Sequence, residues 1–261
     1  MTMRRALVTG GGGRLGRAMA IHLAERGFSV AIHYHRSERG AEETAAACRG
    51  EGAGTVLVRA DLLDDGETAR LVPEAAAALE GPVDLLINSA SLFEPDNLGG
   101  ITGESWHRAM GTNLRAPVML TQAFAAQCKE PEIDEDGEAQ ARALVVNMLD
   151  QRIEKLTPNY MSYTLAKTAL WTFTRTAAQA LGPKVRVNAI APGTTLPSGG
   201  QDEAQFRARR RESILRRGPN PRDITAALGY FIDAPAVTGQ ALIIDGGQHL
   251  MWQTRDIPQR D

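Results

Sequence analysis

The chain has 261 residues, 43% of them hydrophobic, and a formal net charge of −2. That is enough apolar chain for a well-buried core in one large domain or two small ones, and its near-neutral balance gives no global basic field to attract nucleic acid or an anionic membrane. No apolar stretch is long enough to span a bilayer. The start, "MTMRRALVTG", runs straight into an apolar segment and a glycine turn, so no signal peptide is expected. Cys48 and Cys128 lie far apart and form no metal or redox spacing, so two reduced thiols in a cytoplasmic protein are expected.

In chain order, short β-branched runs alternate with Ala-rich stretches of helical period. "RRALVT", "FSVAIHY", "TVLVR", "VDLLIN", "ALVVNM", "VRVNAI" and "ALIID" read as strands. Residues 14–26, 37–50, 64–80, 104–129 and 159–181 read as helices, with a further helical region over roughly 201–232. Strands apolar throughout and separated by helices predict a parallel sheet buried on both faces. The expectation is an α/β, Rossmann-type, doubly wound sheet of seven strands. It forms one domain over 1–261, because no repeat and no Pro-, Gly- or Ser-rich linker divides the chain. "EPEIDEDGEAQ" (130–140) reads as an acidic, solvated surface insertion before a strand.

"VTGGGGRLGRAMA" follows the first strand and opens the first helix. Gly10 permits a tight turn, Gly16 lets the helix pack closely on the sheet, and the N–H groups at the helix start can hold a pyrophosphate. At this strand-to-helix junction the glycines predict dinucleotide binding. About 20 residues further on, many such folds place an acid on the ribose 2′-hydroxyl. This chain has "HYHRS" (33–37) instead. Arg36 can fork two hydrogen bonds onto a 2′-phosphate and Ser37 can add another, which favours NADP(H) over NAD(H). The rival for Arg36 is an ordinary surface arginine. His33 and His35 share one strand face, but no third ligand is evident, so no metal is expected.

Tyr163 and Lys167 share a helix face at i, i+4. An ammonium about 4 Å from the phenol contributes about 4 kcal/mol at an effective dielectric of 20, worth up to about 3 pKa units before solvation losses. Such a tyrosine could pass a proton near neutral pH.

Together with "TGGGGRLG", "ADL" (60–62), "NSAS" (88–91), "TNLRAP" (112–117), "YTLAK", "VRVNAIAPG" (185–193) and "VTGQALIIDGG" (237–247), this pattern resembles the short-chain dehydrogenase/reductase family over nearly the whole chain. The resemblance implies Tyr163 as general acid, Lys167 as tuner of its pKa and clamp on the nicotinamide ribose, and Asn113 as anchor of a water relay. It implies a cofactor wall that runs from Gly10, Arg14, Leu15 and Gly16 through His33, Tyr34, His35, Arg36 and Ser37. Asp61 and Leu62 would border the adenine, Asn88, Ser89 and Ala90 would line the cofactor, and the Pro192–Gly193 turn would lie beside the nicotinamide. It also implies a homotetramer.

Three positions depart from the family's usual pattern: Arg14 stands for glycine, "NSAS" for N-N-A-G, and Asp150 for the serine that orients a substrate carbonyl. An ionised Asp150 would repel a developing alkoxide and raise the tyrosine pKa. All three point toward the pteridine reductase branch, which includes bacterial dihydromonapterin reductases. That branch resembles this chain at "RLG", "HYHRS", Ala90, Ser91 and Phe93, the Asp-Tyr-Lys trio, and the tail from "RRESILRRG" to "IIDGGQHL". A dihydropterin is reduced at a carbon–nitrogen double bond, so no alkoxide forms, and its ring N–H groups suit a carboxylate acceptor.

Phe93 could then stack the flat ring, Arg14 could reach the pterin oxygen and the pyrophosphate together, and Ser91 could bond both ligands. The rivals are Phe93 as core packing, Arg14 on the pyrophosphate alone, and Asp150 as a helix or loop cap. In the resembling family residues 194–232 cover the substrate, so Thr194, Thr195 and Leu196 could line it. "FRARRRESILRRG" (206–218) reads either as a lid that attracts a polar tail or, preferably, as a solvated helix face. The tail "HLMWQTRDIPQRD", with Trp252 as its apolar anchor, is a candidate to cross a subunit boundary. Two other functions stay open: a short-chain reductase of another carbonyl or imine, such as a 3-oxoacyl group or small ketone, and an NADPH-binding pseudoenzyme.

Overall fold

The computed structural model describes residues 4–197 and 202–252. Seven parallel strands form one sheet: β1 (Arg4–Val8), β2 (Phe28–Tyr34), β3 (Thr55–Arg59), β4 (Leu85–Asn88), β7 (Ala143–Met148), β8 (Val185–Pro192) and β9 (Ala241–Ile244). Their order is β3-β2-β1-β4-β7-β8-β9. The seven-stranded doubly wound sheet is as the sequence predicts. β7 is buried at every residue, and β2 at all but its last, as strands covered on both faces must be.

Alternation along the strands sorts the core. Ala6, Val8, Val30 and Ile32 join the cluster that includes α1 (Arg14–Glu25), α2 (Glu38–Gly50) and α8 (Pro221–Asp233). Leu7, Ala31 and Val145 join the opposite cluster, with α3 (Asp65–Ala78) and α5 (Ala116–Gln127). Each fully buried Leu or Ile contributes roughly 1.5–3 kcal/mol through apolar burial. The strand order reverses between β1 and β4, and a crevice opens beyond the carboxyl ends of the strands.

Three local expectations need correction, and the acidic insertion gains a detail. The helix expected over 104–129 is α4 (Gly103–Met110), a π turn (Gly111–Arg115) and then α5, where Pro117 stands in the first turn. The helix expected from 159 begins at Met161 as α6 (Met161–Leu181), because Tyr160 takes a left-handed conformation (φ 58°). The region 201–232 is not continuous. α7 (Glu203–Arg211) ends, and Pro219, Asn220 and Pro221 stop and restart the chain, with Asn220 and Asp223 forming a reciprocal cap on α8. The acidic insertion contains a small antiparallel hairpin, β5 (Glu132–Ile133) and β6 (Ala139–Gln140), whose turn Asp134 holds by accepting from the N–H groups of Asp136 and Glu138. Among the described residues no helix is long and apolar enough to cross a membrane. Of the tail from His249 expected at a subunit boundary, Trp252 is exposed, and residues 253–261 lie outside the described residues.

Candidate active site

The cleft at the reversal point has a volume of about 970 Å³. Its floor is the turn between β1 and α1. Gly10 has φ +65°, and an added Cβ would lie 2.9 Å from the Ala90 Cα, so only glycine fits. No side chain caps the start of α1 and no acid stands in its first turn, which leaves its N–H groups for an anion.

The turn is held from β2. The Gly10 N–H donates to His33 Nδ1 (3.1 Å), and His33 Nε2 bonds the Ala60 carbonyl (3.0 Å). This arrangement puts the ring proton on Nε2 and commits both nitrogens to the backbone, leaving no lone pair for a metal. His33, expected on the cofactor wall, borders the cleft but acts by fixing the turn. Burial pushes its pKa down to about 4. Folding therefore favours the neutral ring, and the unfolded chain binds more protons between pH 6.5 and 4. Stability should fall as pH drops through that window, by about 3 kcal/mol from this residue. Urea unfolding of the parent and of His33→Gln at neutral and acid pH should show a smaller acid loss in the variant.

Beyond β2, Tyr34, His35, Arg36 and Ser37 form one end of the cleft, with Asp61 and Leu62 opposite. Arg36 is exposed and, among the described residues, has no hydrogen-bond or ion-pair partner. Ser37 is the N-cap of α2 but makes no side-chain cap bond, so its hydroxyl is available. A guanidinium, a hydroxyl and an uncapped helix start suit a phosphate.

At the other end, α6 places Tyr163 and Lys167 one turn apart, both buried. The Tyr163 hydroxyl donates to Asp150 Oδ2 (3.2 Å), and Lys167 Nζ donates to the Met148 carbonyl (2.7 Å). Asp150 Oδ1 accepts from the Arg152 N–H (2.9 Å) and caps the 3-10 turn Gln151–Ile153. Asp150 is thus both cap and tyrosine partner, one oxygen for each.

The rise expected from Asp150 is present, and the lowering expected from Lys167 is not. Burial, then the charge and hydrogen bond of Asp150, hold the Tyr163 pKa well above the ordinary phenol value, with Arg152 and Ser91 opposing. Lys167 Nζ lies 5.6 Å from the Tyr163 ring centre and is engaged by a backbone carbonyl. Burial lowers its own pKa to about 8, against the pull of Asp150. It carries its charge at neutral pH but does not bring the tyrosine down.

The π turn buries Asn113 completely. Its Oδ1 accepts from Ser91 Oγ (2.8 Å) and the Leu92 N–H (3.1 Å), and its Nδ2 donates to the Leu92 and Ala109 carbonyls (2.9 and 3.0 Å). Its side chain is saturated by the protein and orients Ser91, so any relay water would have to use the backbone. Asn88 also departs from expectation. It is buried, donates to Asn147 Oδ1 (2.8 Å) and is absent from the cleft wall, because β4 turns it toward β7. Ser89, Ala90 and Ser91 do line the cleft, as do Leu15, Gly16, Pro192, Gly193 and Leu196.

Phe93 is 41% exposed, which removes the core reading. Its ring stacks on Tyr160 (centroids 4.1 Å, 2° between planes) and meets Tyr163 edge-on (4.8 Å, 78°). The Arg152 guanidinium lies 5.1 Å from the Phe93 centre and 5.2 Å from that of Tyr160, near-equal distances that put it beside the stack. Tyr160, Arg152 and Gln248 border the cleft and were missed. Tyr160 stands three residues before Tyr163, which was a usable signal for the same mouth. Arg14 donates to the Pro197 carbonyl, so a ligand in the cleft must share or replace that bond.

Residues 13–249 match a family described as enoyl-(acyl carrier protein) reductase. A crystal structure of FolM alternative dihydrofolate reductase 1 from Brucella suis, in complex with NADP, superposes with a TM-score of 0.88 at 42% identity, covering 98% of each chain. Pteridine reductase 1 of Leishmania tarentolae is 30% identical, over 94% of this chain and 96% of its own. A polyketide synthase ketoacyl reductase of the granaticin system of Streptomyces violaceoruber is also 30% identical, over 94% and 96%. With the sheet order and the Asp150-Tyr163-Lys167 constellation, these likenesses establish that the chain belongs to the short-chain dehydrogenase/reductase family of oxidoreductases.

Proposed function

We propose that the protein reduces a dihydropterin, of the dihydromonapterin kind, to the tetrahydropterin with NADPH. The observation that carries this reading is the carboxylate of Asp150 bonded to Tyr163, where the family usually has serine. Arg36, Ser37 and the open start of α1 would hold the phosphates, and similar proteins crystallised with NADP support that cofactor. When bound, NADPH supplies a hydride to a ring carbon of the substrate. Tyr163 Oη, protonated at neutral pH, delivers a proton to the adjacent nitrogen directly or through water, and the tyrosinate regains one from solvent. Asp150 accepts a substrate N–H, which directs its charge away from the phenol. Ser91, whose proton goes to Asn113 Oδ1, offers its oxygen as an acceptor, and Phe93 offers a ring for stacking. Buried free thiols support a reducing, cytoplasmic setting, and the family resemblance supports a homotetramer.

The test is loss of NADPH absorbance with 7,8-dihydromonapterin, dihydrobiopterin and dihydrofolate beside an acetoacetyl thioester and simple ketones. Turnover confined to the pterins supports the reading. Turnover of ketones alone sinks it in favour of a carbonyl reductase, the reading that likeness to the ketoacyl reductase favours. A second result checks the cofactor. Arg36→Ala should raise the KM for NADPH by about one to two orders of magnitude, the worth of charged hydrogen bonds, while leaving that for NADH within a few-fold.

A further inference from the structure

The dinucleotide cradle and the Asp150–Tyr163 pair leave one constellation unexplained. Arg210, near the end of α7, donates Nη1 to the carbonyls of Thr194 (3.0 Å), Thr195 (3.2 Å) and Pro219, and Nη2 to that of Gly218 (2.6 Å). These acceptors belong to two stretches more than 20 residues apart, the exit from β8 and the approach to α8. Gly218 is shaped to this contact: an added Cβ would lie 2.8 Å from both Arg210 Cγ and the Thr194 oxygen. The guanidinium also lies 5.2 Å from the centre of the buried Phe206 ring.

The neighbouring arginines behave differently. Arg207 pairs with Glu203, both exposed, and the exposed Arg217 pairs with the half-buried Asp223, so the arginines themselves do read as solvated charge. Arg210 is half-buried and bonds only carbonyls. An arginine so placed uses its planar fork to fix backbone geometry, and its charge also acts on the Asp223 carboxylate at the start of α8.

The backbone it fixes borders the cleft. Thr194, Thr195 and Leu196 line the cleft directly after the Pro192–Gly193 turn. Gln248 Oε1 accepts from the Thr194 N–H (3.4 Å) and hydroxyl (3.3 Å) on the other side, and Arg14 holds the Pro197 carbonyl. Residues 194–197 therefore form a strap gripped at both ends.

We propose that Arg210 is a positioning residue for substrate: it clasps the two stems so that the strap, tied down by the buried Thr195 hydroxyl on the Gly193 carbonyl (3.0 Å), presents Leu196 to the bound ring. The identity of that ring rests on the pterin reading, but the clasp does not. Arg210→Gln should raise the KM for the dihydropterin by about tenfold or more, the worth of charged hydrogen bonds. The NADPH dissociation constant, read by fluorescence, should change several-fold less than that KM, because Arg36 and Ser37 stand at the far end of the cleft from Arg210. Arg210→Lys should be intermediate, since an ammonium lacks the fork, and Arg211→Gln, at an exposed neighbour, should match the parent. A variant with unchanged KM and kcat, whatever its melting temperature, overturns the proposal, and so does one whose NADPH affinity falls as far as its KM rises.

Hydrogen exchange of the peptide spanning 190–197, in the NADP-bound protein, should quicken in Arg210→Gln, and unaltered exchange also overturns the proposal. This readout needs no turnover, so if the parent reduces no pterin, the pterin reading fails while the exchange still decides the clasp. Should Arg210→Gln fail to fold, Gly218→Ala should show the same split between KM and NADPH affinity, and its absence would refute the clasp.

Discussion

Tyr163→Phe should lower kcat by about 10²- to 10⁴-fold, the usual worth of a positioned general acid, while NADPH binds as tightly as before. The substitution removes one oxygen from a side chain that is 6% exposed. The ring, with its edge-on contact to Phe93, remains. Asp150 keeps the Arg152 N–H and guanidinium, so no buried charge is stranded. The melting temperature should therefore move little, and a rate loss without a stability loss identifies the hydroxyl as the proton source. A rate within a few-fold of the parent would mean that water alone protonates the substrate, leaving Tyr163 as packing. Lys167→Met cannot substitute for this test, because it also removes a bond to the Met148 carbonyl in a buried place.

The period-2 and period-3.6 patterns made the sheet and most helices legible, because apolar alternation is a local property of the chain. The nearness of Tyr163 to Lys167 was legible for the same reason, being one helix turn. Their electrostatics were legible only in the raising effect of Asp150. The i, i+4 spacing set the pair close together, but burial and Asp150, thirteen residues upstream in another element, decide the sign of the tyrosine shift. The same limit hid the Phe93–Tyr160 stack and the Arg210 clasp, each of which joins segments that only the tertiary fold brings together. The break at the π turn had a local trace in Pro117, yet the turn itself follows from how Asn113 meets the carbonyls of Leu92 and Ala109. His33 carried the opposite lesson: it was expected on the cofactor wall, and its two backbone bonds make it a brace for Gly10.

Asp150→Ser separates the two reductase readings most sharply. Serine can still cap the turn at Gln151, so the fold should hold. What disappears is a carboxylate acceptor for a substrate N–H and the charge that, after burial, most raises the Tyr163 pKa. If the substrate is a dihydropterin, losing a charged hydrogen bond of about 1.5–3 kcal/mol should lower kcat/KM by about one to two orders of magnitude. Ketone reduction should respond in the opposite direction. The serine hydroxyl can donate to a carbonyl oxygen, the tyrosine becomes a stronger acid, and no anion faces the developing alkoxide. The variant should therefore gain activity on an acetoacetyl thioester or small ketone as it loses activity on pterins. Kinetics of parent and variant on both substrate classes check this crossing. Parallel losses on both would assign Asp150 to holding Tyr163 in place for any substrate, and the carboxylate would then carry no information about the pterin ring.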